Sequence, residues 1–169
     1  MIPQRTMPKT RGALPGGLEE WTFTRYVTLA FNDSMAGERR SVGSSQAGGF
    51  LRDRLRRWDA MINHQLLGKH WAKMSADRMF AFFFLERPDS NPHWHGLVRF
   101  IADSPDELVR QEQTFDQAAS PVWKKLVPAG SVDIQPVTSQ LGVSRYITKS
   151  LDFGVGYEDF VIPDQIWGG

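Results

Sequence analysis

The chain has 169 residues, 41% of them hydrophobic and 12% aromatic, which suits one globular domain with its own core. It has no cysteine, so disulfides and thiolate metal sites are excluded, and a net charge of +1 neither requires nor forbids a nucleic-acid partner. The longest apolar run, Met79 to Leu85, is too short to cross a bilayer, and Met1 to Gly17 lacks the apolar stretch of a secretory signal. The default expectation is a soluble, cytoplasmic protein with no membrane contact.

Residues 1–20, with Pro3, Pro8, Pro15 and the pair Gly16-Gly17, read as a flexible tail. Order is expected from WTFTRYVTLAFN, where Trp21, Phe23, Val27, Leu29 and Phe31 alternate with Thr22, Thr24, Tyr26 and Thr28 as in a strand. Asn32 to Gly49 is rich in Ser and Gly and reads as a loop. From Phe50 to Trp71, Leu51, Leu55, Trp58, Ile62 and Leu66 recur at helical spacing, with Arg52, Arg54, Arg56 and Arg57 on the other face.

Two strands follow, Arg78 to Arg87 and His93 to Ala102, joined by the turn-rich PDSNP. Ser104-Pro105-Asp106-Glu107 is a capping-box start for a helix striped by Leu108, Phe115, Ala119, Val122 and Leu126. Pro121 predicts a kink or break near its end. Ser131 to Thr138 reads as a short strand, at an edge or ending at Pro136. A last helix is expected over Gln140 to Leu151, with Val143, Ile147 and Leu151 inward, and the remaining residues show no period. The expected fold is α+β, with strand-helix-strand-strand-helix-strand-helix order and helices packed on a mainly antiparallel sheet.

Packing alone does not explain the pair His93 and His95, two of the four histidines, on an otherwise apolar strand. Alternate strand residues share a face, with Cα atoms about 7 Å apart. Placing Glu86 opposite His95, Phe84 opposite Leu97 and Phe82 opposite Arg99 across the hairpin brings Glu86 to that face. The resulting N,N,O set suits Mn²⁺, Mg²⁺, Co²⁺ or Zn²⁺, with positions open to water or substrate. The alternative is a pair of hydrogen-bonded strand histidines with no metal.

In VSRYITKSL, Tyr146 and Lys149 are three apart on the last helix and reach a common side, as simple helix-surface residues would too. A phenol titrates near pH 10, so a tyrosine nucleophile needs a nearby positive charge. The three stretches YVTLAFND, PHWHGLVRF and RYITK, in that order, resemble the HUH endonucleases, in particular the single-tyrosine rolling-circle replication initiators, or Rep proteins. The resemblance spans Trp21 to Leu151 and implies an HUH/RRM-like sheet of about five antiparallel strands. It implies Mn²⁺ or Mg²⁺ on His93, His95 and Glu86, Tyr146 as nucleophile and Lys149 as the motif lysine.

The implied activity is sequence-specific nicking and joining of single-stranded DNA through a covalent 5′-phosphotyrosine. Such a reaction initiates rolling-circle replication of a plasmid, phage or related mobile element. The implied partner is single-stranded or hairpin origin DNA, and, since no G-x-x-x-x-G-K-[ST] occurs in the chain, either a separate helicase unwinds it or residues 1–169 are the nuclease part of something longer. The domain is expected over 21–152, with 153–169 a tail or the start of a further segment. YVTLAFND matches the first Rep motif only loosely, so Asn32 and Asp33 receive no role. The lack of a second tyrosine on the Tyr146 helix separates the chain from paired-tyrosine initiators, since Tyr157 lies beyond the helix.

Arg99, on the expected metal face, and the Arg52, Arg54, Arg56, Arg57 surface are candidate DNA contacts. Phe82 or Phe84 could stack on bases or pack in the core. Two other functions fit parts of the sequence: a non-catalytic RNA- or DNA-binding module of RRM-like fold, and an iron enzyme with a two-histidine, one-carboxylate site.

Overall fold

The computed structural model describes residues 22–32, 44–87, 90–140, 142 and 160–161. It is an α+β fold: strands β1 (Arg25–Ala30), β2 (Phe80–Glu86), β3 (His93–Arg99) and β4 (Ser131–Pro136) form an antiparallel sheet, packed against helices α1 (Ser44–Leu67) and α2 (Pro105–Leu126). A two-residue segment, β5 (Phe160–Val161), pairs with β2 at Phe83 and Phe84, so the aperiodic C-terminal stretch contributes to the sheet edge. The order across the sheet is β4-β1-β3-β2-β5, which puts the strand bearing both histidines in the centre. Most of the expected last helix lies outside the described residues; Ser139 Oγ accepts from Gly142 N at 3.1 Å, the bond of a helix N-cap.

α1 begins earlier than the sequence predicts, at Ser44 inside the Ser- and Gly-rich stretch, and ends at Leu67 rather than Trp71. It stops where Gly68 takes φ +77°, the left-handed conformation that glycine adopts without steric cost. A single 3₁₀ turn, Trp71–Lys73, follows. α2 starts as its capping sequence implies, with Ser104 accepting from Glu107 N at 3.2 Å and Pro105 in the first turn. Pro121 does not break it. Pro121 and Gln117 are both exposed, so the carbonyl left without a partner faces water, while Val122 and Trp123 stay anchored in the core.

The core lies between the helices and one face of the sheet. Leu51, Leu55, Trp58, Ile62 and Leu66 of α1 and Phe115, Ala119, Val122 and Trp123 of α2 meet Val27, Leu29, Ala81, Phe83, Leu85, Trp94 and Val98. Three buried tryptophans satisfy their N–H groups on carbonyls of neighbouring elements: Trp58 on Ala119 at 3.1 Å, Trp94 on Leu51 at 3.3 Å and Trp123 on Ala30 at 2.9 Å. Arg25 ties β1 to α2 through a two-nitrogen pair with Asp116 and a contact to Glu112 at 3.2 Å. Before Arg25 the strand alternation fails: Phe23 is buried outside this core, its ring 6.4 Å from Phe80. Among the described residues, no helix is long and apolar enough to cross a membrane.

Gly96 lies beneath the centre of the sheet, between Val27 on β1 and Phe83 on β2. A Cβ there would stand 2.7 Å from Phe83 Cδ1 and 2.9 Å from Val27 Cγ1. The Phe83 ring is itself held edge-on by Trp58, at 5.9 Å between centroids. Gly96→Ala is therefore expected to lower the unfolding free energy by about 1–3 kcal/mol in a urea titration, the cost of overpacking a filled core.

Candidate metal centre

Trp94 points into the helix-side core, so alternation turns His93 and His95 to the other face of the sheet. Glu86, at the end of β2, joins them there. Its partner across the hairpin is His93, with Phe84 opposite His95, Phe82 opposite Leu97 and Phe80 opposite Arg99. The register thus differs by two residues from the one expected, and because strand side chains repeat every two residues the facing is preserved.

The side chains converge. His93 Nε2 stands 3.2 Å and His95 Nε2 3.3 Å from the same carboxylate oxygen, Glu86 Oε2. Ligand bonds of about 2.0–2.2 Å put two donors on one ion roughly 3 Å apart, so the spacing fits a shared cation. Glu86, His93 and His95 form a group that could hold a metal ion. The Glu86 side chain keeps 32% of its surface exposed against 16% and 12% for the histidines, so the site opens to solvent on the carboxylate side.

Donor and acceptor chemistry tests the fit. His93 Nδ1 lies 2.8 Å from the Asn91 carbonyl oxygen, which can only accept, so this nitrogen carries the ring proton. Nε2 of a neutral His93 then presents a lone pair to a carboxylate oxygen, and two acceptors at 3.2 Å repel unless a cation stands between them. The position is filled by a second proton or by a metal ion. The donor set, two imidazoles and a carboxylate, fits the metal.

His95 is held more closely. Its ring lies between those of Phe84, at 5.2 Å, and Tyr26, at 5.5 Å, with both interplanar angles below 30°. Its Nδ1 faces two hydroxyls from β1, Tyr26 OH at 2.7 Å and Thr28 Oγ1 at 3.1 Å. Burial holds the imidazole below its ordinary titration range; the Glu86 carboxylate opposes this, and His93 adds to it. A neutral ring, the form that binds metals, is thereby favoured.

The remaining sequence candidates divide. Phe82 and Phe84 are buried, so base stacking on them is not available; Phe84 packs against His95 instead. Arg99 shares the metal face, about 13 Å along β3 from His95. Arg52, Arg54, Arg56 and Arg57 lie on α1, which covers the opposite face of the sheet, and so are not brought to the metal centre. Arg54 there stacks over Phe50 at 4.5 Å, and Arg57 pairs with Asp53 at 3.0 Å.

Asn32 has a structural part: its side-chain nitrogen donates to the Ala129 carbonyl at 2.8 Å. Asp33, Tyr146, Lys149 and Tyr157 lie outside the described residues. Tyr26 and Thr28 are contacts of the site that carry no local signal in the sequence. Their alternation placed them opposite Val27 and Leu29, but nothing local says that β1 pairs with β3 in the register Thr28 to His95.

Comparison with known proteins finds no matching family model, no matching curated protein and no matching solved structure.

Two measurements check the centre. A divalent metal ion at roughly a hundred times its dissociation constant is expected to raise the unfolding free energy by about 2.7 kcal/mol, and His93→Ala with His95→Ala to abolish that increment while the fold persists. The pH dependence without metal follows from His95. Unfolded, this ring takes up a proton near 6.5; folded, it does so only at lower pH. Stability is therefore expected to be full above 6.5 and to fall as pH drops below it, because the unfolded chain then binds more protons. In a chelating buffer, the slope of urea stability against pH is expected to be shallower in His95→Gln than in the unaltered protein.

Proposed function

We propose that this chain is a metal-dependent endonuclease of the HUH type, which nicks and rejoins single-stranded DNA through Tyr146 and so initiates rolling-circle replication of a mobile element. The observation that carries the proposal is the convergence of His93 Nε2, His95 Nε2 and Glu86 Oε2 on the central strand of an antiparallel sheet, open on the Glu86 side. Two imidazole ligands suit Mn²⁺ better than the oxygen-seeking Mg²⁺, and either would serve a phosphate substrate. When bound, such an ion supplies Lewis-acid charge beside the scissile phosphate.

The chain's own residues supply the rest. The Tyr146 phenolate oxygen attacks phosphorus, a new O–P bond forms, and the bond from phosphorus to the 3′-oxygen of the preceding nucleotide breaks. The phenol proton passes to solvent, and the departing 3′-oxygen takes one up. The 5′-phosphate stays on the tyrosine, and attack by a 3′-hydroxyl reverses the step without ATP. Lys149 favours the phenolate or holds the phosphate. The Gln140 side chain bonds Phe23 N at 3.1 Å and Phe23 O at 2.7 Å, so the segment that leads to Tyr146 starts beside β1, the strand that pairs with the histidine strand.

DNA is proposed to approach the Glu86 side of the sheet, with Arg99 nearer that path than the α1 arginines. A module binding RNA by base stacking is less well supported, because Phe82 and Phe84 are buried. An iron oxygenase is less well supported because this ligand set usually sits in a β-barrel, and the sheet here is open.

Incubating the protein with a pool of labelled single-stranded oligonucleotides and Mn²⁺ should give a covalent protein–DNA band on a denaturing gel. Tyr146→Phe is expected to fold, bind metal and form no adduct, since water would have to replace the phenol. Adduct from Tyr146→Phe and none from Tyr157→Phe would move the nucleophile to Tyr157. No adduct from the unaltered protein would remove the nuclease function.

A further inference from the structure

We infer that Tyr26 and Thr28 are positioning residues of the metal centre, whose hydroxyls support His95 in both ring tautomers and so let this ligand switch on metal uptake while His93 stays fixed. The inference rests on the metal-site reading above. It comes from the difference between the two histidines at the nitrogen that points away from Glu86.

His93 Nδ1 faces a carbonyl at 2.8 Å, so its hydrogen stays there in both states, and only Nε2 changes, between a second proton and the metal. His95 Nδ1 faces two hydroxyls, at 2.7 and 3.1 Å, and each can donate or accept. Without metal, His95 Nε2 carries the hydrogen, on the side of Glu86 Oε2 3.3 Å away, while Nδ1 accepts from a hydroxyl. With metal, the Nε2 lone pair must face the ion. The Nε2 proton leaves to solvent, Nδ1 gains one from solvent, and Nδ1–H donates to a hydroxyl oxygen. The ring stays neutral throughout, and its hydrogen-bonding atoms keep partners in each state.

That matters because the His95 side chain is only 12% exposed, and an unpartnered nitrogen there is costly. A carbonyl in place of the hydroxyls would lock the ring, and a methyl would strand it. The stacked rings of Tyr26 and Phe84 hold the imidazole plane while the hydrogen changes place. Tyr26 bonds the Nδ1 edge, with the imidazole between its phenol and the ligand atom, so it supports the site without being placed to attack a bound phosphate.

The test uses the full chain and Mn²⁺ alone, titrated by the loss of its free EPR signal, with Zn²⁺ as the diamagnetic ion for NMR. Tyr26→Phe with Thr28→Val is expected to weaken Mn²⁺ binding by about 10–100-fold. Each single variant, retaining one hydroxyl, should lose less than about 5-fold, and Thr28→Ser should bind like the unaltered protein. Long-range ¹H–¹⁵N spectra should show His95 protonated at Nε2 without metal and at Nδ1 with Zn²⁺, and His93 at Nδ1 in both. That change of tautomer is read in the unaltered protein, so it decides the matter even where the double variant fails to fold.

Normal Mn²⁺ affinity in a folded double variant, or a His95 tautomer that is the same with and without metal, overturns the inference and leaves the metal site standing. No Mn²⁺ or Zn²⁺ binding by the unaltered protein overturns both.

Discussion

Trp94 is the residue on which the arrangement turns. Its indole fills the core beneath β3 and spends its N–H on the Leu51 carbonyl of α1, so the strand cannot rotate or slip by one residue without expelling it. With Trp94 fixed inward, His93 and His95 have only the other face of the sheet to occupy. The core therefore orients the ligands: the packing that stabilises the domain also places two imidazoles side by side. Trp58 and Trp123 act in the same way one layer out, joining α1 to α2 and α2 to β1, so the helical layer beneath β3 is closed by directional bonds as well as apolar contact.

The central position of β3 has a chemical consequence. A strand at the centre has two neighbours, and here they divide the work. β2 supplies Glu86 to the Nε2 side of the histidines, and β1 supplies Tyr26 and Thr28 to the Nδ1 side of His95. An edge strand would have offered one or the other. The flanking aromatic rings hold His95 rigidly, and the same burial keeps it neutral, which favours a metal ligand and works against a proton in its place. Rigid support from two strands is what a ligand set needs, since small errors in donor position weaken coordination sharply.

The two faces of the sheet are chemically distinct. One is sealed by α1 and α2, with the arginines of α1 beyond it. The other carries the histidines, Glu86, Tyr26, Thr28 and Arg99. A ligand of the candidate metal centre would meet the second face, so a positive charge counted along the sequence gains or loses relevance according to the layer in which it lies. Arg54 and Arg57 are engaged locally, with Phe50 and Asp53.

Periodicity alone determined much of this protein. Alternation marked four strands, the 3.6-residue stripe marked two helices, the capping sequence fixed the start of α2, and H-x-H with a carboxylate across a hairpin marked the metal face. These signals are local, and the two-residue repeat of a strand is robust: even with the β2–β3 register two residues off, Glu86 stayed on the correct side. Only the tertiary structure decided which strands are neighbours. Pairing of β1 with β3 joins residues far apart in the chain, and no short-range pattern encodes it, so the contacts of Tyr26 and Thr28 with His95 were invisible in the sequence. The same holds for the start of α1 at Ser44 and the continuity of α2 through Pro121. In α2, packing of a long apolar stripe outweighs a proline propensity worth about 3 kcal/mol, because burial is summed over the whole helix while propensity acts one residue at a time.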